Sequence, residues 1–327
     1  MTISRSVLVA ICISYGIAVA ATLWESSSQA DPPATNARAS GPILKTSLGD
    51  LEIFPPDNPW NSDISQLPVH RNSRAYLSSI GLDKPLHPDF GTVWNGVPNG
   101  IPYVVVGQDQ PGVPVKFEYA DESDAGPYPI PGDAPIEGGE KGEGDRHVIV
   151  VDYHAKKLYE IFSAHRQAAG WQAGSGAVFD LTSNKLRPAG WTSADAAGLP
   201  IFAGLARYEE VEQGEIRHAL RFTVRKTQRG YIAPATHFAS RSTDANLPPL
   251  GLRVRLKADF DITKFPPSAQ VILRGLKKYG MLLADNGGDW FVSGAPHPRW
   301  NDDALHTLKK VKGSDFEALE TGDVVTR

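Results

Sequence analysis

Glycine and proline break this chain so often that short extended pieces and turns dominate what it can build. They account for 31 and 26 of its 327 residues. Proline removes a backbone donor and fixes φ, and both residues favour turns. Pro55-Pro56-Asp57-Asn58-Pro59-Trp60-Asn61 therefore excludes regular helix and reads as an extended arm or a sheet edge. Runs rich in β-branched and aromatic residues lie between such breaks, at Pro102–Val106, Val113–Tyr119, Ala177–Leu181, Ala219–Val224, Tyr231–Ala233 and Leu252–Leu256. Arg146–Tyr153 and Lys157–Phe162 are separated by His154-Ala155-Lys156 and predict a hairpin. Met281–Ala284 and Trp290–Val292 flank Asp285-Asn286-Gly287-Gly288, a turn signal that predicts a late strand pair.

Helices are few: Asn72–Ile80, Ala203–Gln213, Ser268–Lys278 behind Pro266-Pro267, and Asp302–Lys310 with acids first and lysines last. Ala120–Gly144, rich in Asp, Glu, Gly and Pro, predicts a long surface loop. The expected fold class is mainly β, a β-sandwich or jelly roll with a few short added helices.

The N-terminus carries an address. Met1–Arg5 is polar with one positive charge, Ser6–Trp24 is almost wholly apolar, and Ser28-Gln29-Ala30 precedes Asp31-Pro32-Pro33. That order is a signal peptide cut after Ala30. An uncleaved membrane anchor is the rival reading, because the apolar run is long enough to span a bilayer. The expected organisation is a signal peptide over 1–30, a flexible linker over 31–43 and a single mainly-β domain over 44–327, secreted or periplasmic. Cys12 is the only cysteine, so cleavage leaves no disulfide, no thiolate nucleophile and no Cys-ligated metal. A net charge of −4 gives no general reason to bind nucleic acid or an anionic membrane.

No GxSxG, HExxH, Gly-rich phosphate loop or EF-hand loop is present. What remains is a set of acids, histidines and tryptophans near turns. Asp195 sits among small residues before Gly198, either as a general acid or base or as the cap of a helix starting at Ala196. Glu215 and His218 are three apart, and a carboxylate near a histidine raises its pKa and makes a proton shuttle. Asp285 lies at the late turn. These four, Asp195, Glu215, His218 and Asp285, are the candidate catalytic residues. Trp171, Trp191, Arg217 and Trp290 are the candidate substrate-binding residues, with Arg221 as a further partner for an anionic sugar. Glu160, in the run Tyr159-Glu160-Ile161-Phe162, reads as solvated. His147, His218 and His237 are three potential metal ligands whose spacing does not demand a metal; no metal and no cofactor are expected.

The segments GWTSADAAGLPI, GEIRHALRFTV, YIAPATHFAS, LPPLGLRVRLKADFDI and KKYGMLLADNGGDWFVSGAP resemble those of a family of secreted bacterial proteins of unassigned function. The resemblance runs from about Asn58 to Glu317 and implies one exported domain without implying a mechanism. Export, a β-rich body and acids beside aromatic residues point to a polysaccharide or cell-envelope glycan as partner. The expected function is that of a polysaccharide hydrolase or lyase using carboxylate and histidine chemistry, with a non-catalytic glycan- or envelope-binding protein as the alternative.

Overall fold

Two facing sheets carry the protein. The structure, a computed structural model, describes residues 41–326, so the expected signal peptide and most of the expected linker lie outside the described residues. The described residues belong to one structural unit. Among them no helix is long and apolar enough to cross a membrane.

The larger sheet contains β1 (His87–Asp89), β6 (Leu220–Val224), β7 (Arg253–Leu256), β8 (Met281–Asn286), β9 (Phe291–Ser293) and β10 (Phe316–Ala318), in the order β10-β7-β8-β6-β9-β1. The smaller contains β2 (Tyr103–Val106), β3 (Val148–Asp152), β4 (Lys157–Phe162) and β5 (Ser175–Asp180), in the order β5-β4-β3-β2. Side chains alternate between faces along a strand. Ile149, Val151 and Leu158 therefore join the core shared with the larger sheet, and Val148, Val150 and Ile161 point away from it into a second cluster.

Among the described residues four short α-helices complete the body: α1 (Ser73–Ile80), α2 (Tyr208–Gln213), α3 (Pro267–Lys278) and α4 (Asp302–His306). α1 packs on β10 and α3 on β7. The buried stripe of α3 is Val271, Ile272 and Leu276, as its spacing predicts. Its C-terminus is met by Arg253, whose Nε donates to Tyr279 O at 3.0 Å. Burial pushes that guanidinium down to about 9, and the negative end of the helix offsets part of the cost. The mainly-β sandwich with added helices is the fold.

Ala120–Gly144 is the expected irregular, largely exposed segment, but Tyr128, Ile130, Ala134 and Ile136 anchor it to the outer face of the smaller sheet, beside Trp171. Two local expectations give way. The late strands β8 and β9 do not pair with each other, because β6 lies between them, parallel to β8 and antiparallel to β9. Tyr231 makes only isolated bridges.

Candidate functional site

The interface between the sheets is polar at one place. Phe222 pairs with Val292, so Arg221 stands opposite Ser293, and Ser293 pairs with Asp89. Arg221 thus projects from mid-sheet toward the smaller sheet. It is 4 % exposed. Its Nε donates to Asp195 Oδ2 at 2.9 Å and its Nη2 to Asp195 Oδ1 at 3.1 Å. Nη1 donates to Ser293 Oγ at 2.6 Å, and Nη2 lies 3.7 Å from Asp285 Oδ2. Burial opposes the charge on Arg221, but Asp195 and Asp285 raise its pKa above the ordinary arginine value.

Asp195 is fully buried. It caps no helix. Its loop is fixed by small polar contacts: Asp195 N donates to Ser193 Oγ at 2.9 Å, Ser175 Oγ to Ser193 O at 2.6 Å, and Ala197 N to Ala284 O at 2.9 Å. Gly198 turns the loop at φ +73°, where a Cβ would meet Trp191 O at 2.6 Å, so glycine is required there. Ala284 is free to accept because the β6–β8 register shifts between Phe222 and Thr223. Such a bulge re-aims the next side chain, here Asp285, into the polar centre. Burial, then the Asp195 charge, push Asp285 up to about 7, although Arg221 pulls the other way.

The smaller sheet answers with His147 and Glu160. His147 Nδ1 lies 2.6 Å from Glu137 Oε2 and Nε2 lies 3.0 Å from Ala194 O. Both partners are acceptors, so both ring nitrogens carry hydrogen and the ring is an imidazolium. Burial alone would lower its pKa; Glu137 overrides this and raises it to about 9. Burial likewise pushes Glu137 up, yet His147 and then Arg221 hold it below the ordinary carboxylate value. Glu137 sits in the segment read as a surface loop. Arg146 anchors that segment, donating to Gly142 O at 2.7 Å, Glu140 O at 3.1 Å and Gly139 O at 3.2 Å.

Glu160 is completely buried rather than solvated. Its two oxygens accept from Ile201 N at 2.9 Å and Phe202 N at 2.8 Å, which fixes the segment below Arg221. Burial pushes it up to about 7. Asp89, on the edge strand β1, has its pKa raised by partial desolvation and then by Glu137, against Arg221.

Of the sequence-predicted residues, Asp195 and Asp285 therefore meet at Arg221. Glu215 and Arg217 do not: their half-exposed side chains lie 4.0 Å apart on the surface, and Lys278 reaches Glu215 at 3.7 Å. His218 is buried elsewhere, its Nε2 3.0 Å from Glu210 Oε2 and its Nδ1 donating to Ala219 O at 2.7 Å. Arg207 Nη2 donates to Glu210 Oε1 at 2.5 Å, so this triad ties α2 to β6. His237 contacts Ala196 O at 2.8 Å. The three histidines do not assemble, and no group of three or more His, Cys, Asp or Glu is placed to hold a metal ion among the described residues.

Trp290 presents no face to a ligand. It is 0 % exposed, donates Nε1 to Gly81 O at 3.0 Å and stacks between Phe222 and Phe316. Trp171 is buried beneath Arg166, whose Cζ lies 4.5 Å from the ring centroid. Trp191 is half-buried beside Arg187. Among the described residues the exposed tryptophan is Trp94, 67 % exposed at the tip of a Val93–Pro98 hairpin. Its Asn95-Gly96 turn has positive φ at both residues, the geometry of a stiff two-residue hairpin. Val97 of that hairpin lies against Gly139, two residues from Glu137. Asn-Gly between apolar residues was the signal for it in the sequence. No periodic signal marked Glu137 or Asp89.

Comparison with protein-family models, with curated proteins and with solved structures returned no match.

Proposed function

We propose that the protein is an exported carbohydrate-active enzyme, a polysaccharide hydrolase or lyase, secreted or periplasmic, acting on a polysaccharide or cell-envelope glycan. The observation that carries this reading is the splitting of two partly exposed carboxyls around one buried arginine. Glu137 is held ionised by His147, and Asp285 is raised to about 7. Environments that push neighbouring carboxyls apart separate an acid from a base.

Asp285 in its protonated form donates to the departing glycosidic oxygen. Glu137 takes a proton from water in a hydrolase, or from a sugar carbon in a lyase. Arg221, fixed by Asp195, lies beside Asp285 and acts on Glu137 through its charge, and it neutralises charge that develops between them. Trp94 on its stiff hairpin offers a sugar-stacking surface near Glu137. The chemistry requires no organic cofactor.

The test is incubation of the mature chain with a panel of polysaccharides, reading reducing ends and the absorbance of unsaturated products. Turnover on one polymer, lost in Glu137→Gln and Asp285→Asn variants that keep the wild-type circular dichroism, is expected. Absence of turnover on every polymer, with retained gel retardation by one, would replace the enzyme with a glycan-binding protein.

A further inference from the structure

The polar face of the larger sheet continues past Asp285 into an open cleft. Beyond the bulge, Thr223 pairs with Asp285 on one side and with Phe291 on the other, and Phe291 pairs with His87. Directly paired residues point to the same face, so Asp285, Thr223, Phe291 and His87 form one row across four strands. It lies two residues, about 7 Å along the strands, from the row of Arg221, Ser293 and Asp89. At its far end the His87 and Phe291 rings stack with centroids 4.0 Å apart. They line a cleft of about 330 Å³ with Lys84 and Arg225 on its walls. A second cleft of about 540 Å³ continues from Arg225 past Lys226, Arg241, Ser240 and Asn286. Asn286 is the residue after Asp285.

The charge of this groove opposes that of the whole molecule. Lys84, Arg225, Lys226 and Arg241 line it against Asp289 and Asp244, on a chain of net charge −4. Asp289 is largely occupied: Oδ2 takes Lys84 Nζ at 2.6 Å and Oδ1 takes Arg225 N at 2.8 Å. The Arg225 side chain is 75 % exposed, with Nε 3.5 Å from Asp289. Its planar fork suits a carboxylate. Burial, and then the positive surroundings of Lys309 and His306, lower the His87 pKa.

We infer that this groove binds an acidic polysaccharide, with a sugar ring over the His87–Phe291 stack and its carboxylates on Arg225 and Lys84, so that the chain leads into Asp285. The inference rests on the carbohydrate reading above and names its substrate class. Oppositely charged clefts concentrate and orient a charged ligand, with strong dependence on salt.

The test is retardation of the mature chain in native gels containing polygalacturonate, alginate or hyaluronate, each beside its carboxyl-reduced neutral form, at low and high salt. Retardation by at least one acidic polymer and not by its neutral form is expected. It should weaken about tenfold in a Lys84→Gln/Arg225→Gln double variant and at high salt. Equal retardation by a neutral form, none by any acidic polymer, or undiminished binding by the double variant would overturn the inference. So would equal retardation by a single-stranded oligonucleotide, which would assign the patch to nucleic acid. Binding is read without turnover. A chain that binds acidic polymers and cleaves none overturns the acid–base reading alone, and one that cleaves only neutral polymers overturns this inference alone.

Discussion

Arg221 is a buried guanidinium, tolerable only while its counter-charge is in place. Asp195 supplies that charge through two hydrogen bonds. Removing one partner of a buried pair strands the other and costs about 3–5 kcal/mol. Asp195→Asn should therefore lower the free energy of unfolding by about that amount in chemical denaturation. A loss under about 1 kcal/mol would mean that water or another carboxylate reaches Arg221. Glu160 makes a parallel case: Glu160→Ala orphans two backbone N–H groups, each costing about 1–3 kcal/mol when buried without a partner. The same residues mark the limit of sequence reading. Asp195 and Asp285 stood out because acids among glycines and alanines are conspicuous. Glu160 misled, since an acid inside an apolar strand is usually on the solvated face. Its two acceptor contacts come from residues some forty positions away, which no local pattern encodes.

At the scale of elements, local pattern and structure agree wherever a segment decides its own shape. The hairpin of β3 and β4, the stripe of α3 and the strand β6 follow from alternation, proline and glycine close to where the sequence places them. Disagreement begins where the partner is distant. The turn after Asn286 reads as a hairpin, yet β6 intervenes, since a parallel neighbour at long range outcompetes the local pairing. The segment holding Glu137 depends on Arg146, which donates to three of its carbonyls. Arg146→Ala should loosen Glu137, lowering turnover at least tenfold, while the circular dichroism of the sheets persists. Gly198→Ala places a Cβ at positive φ against Trp191 O; strain of this kind costs about 1–3 kcal/mol, and it should appear as a lower thermal midpoint. An unchanged midpoint would show that the Asp195 loop adapts.

The whole molecule couples this polar centre to pH. His147 is raised from 6.5 to about 9, so the stability it contributes is fully present below about pH 6.5 and is lost as pH rises through about 9. Asp285 and Glu160, each raised to about 7, work in the same direction over the range from ordinary carboxylate values up to about pH 7. Thermal unfolding should thus occur at a higher temperature at pH 6 than at pH 9, and the fall between those values should shrink in His147→Gln. If the protein is exported, mass spectrometry of the native product should give an N-terminus at Asp31, and an intact Met1 on a cell-internal protein would refute export.

The acid–base pair itself is tested most directly by the pH–rate profile on whichever polysaccharide is turned over. The wild type should lose kcat above an apparent pKa near 7, the value for Asp285. Asp285→Asn should lower kcat by about 10²–10⁴-fold and abolish that limb. A variant with wild-type kcat and an unchanged alkaline limb would contradict the account.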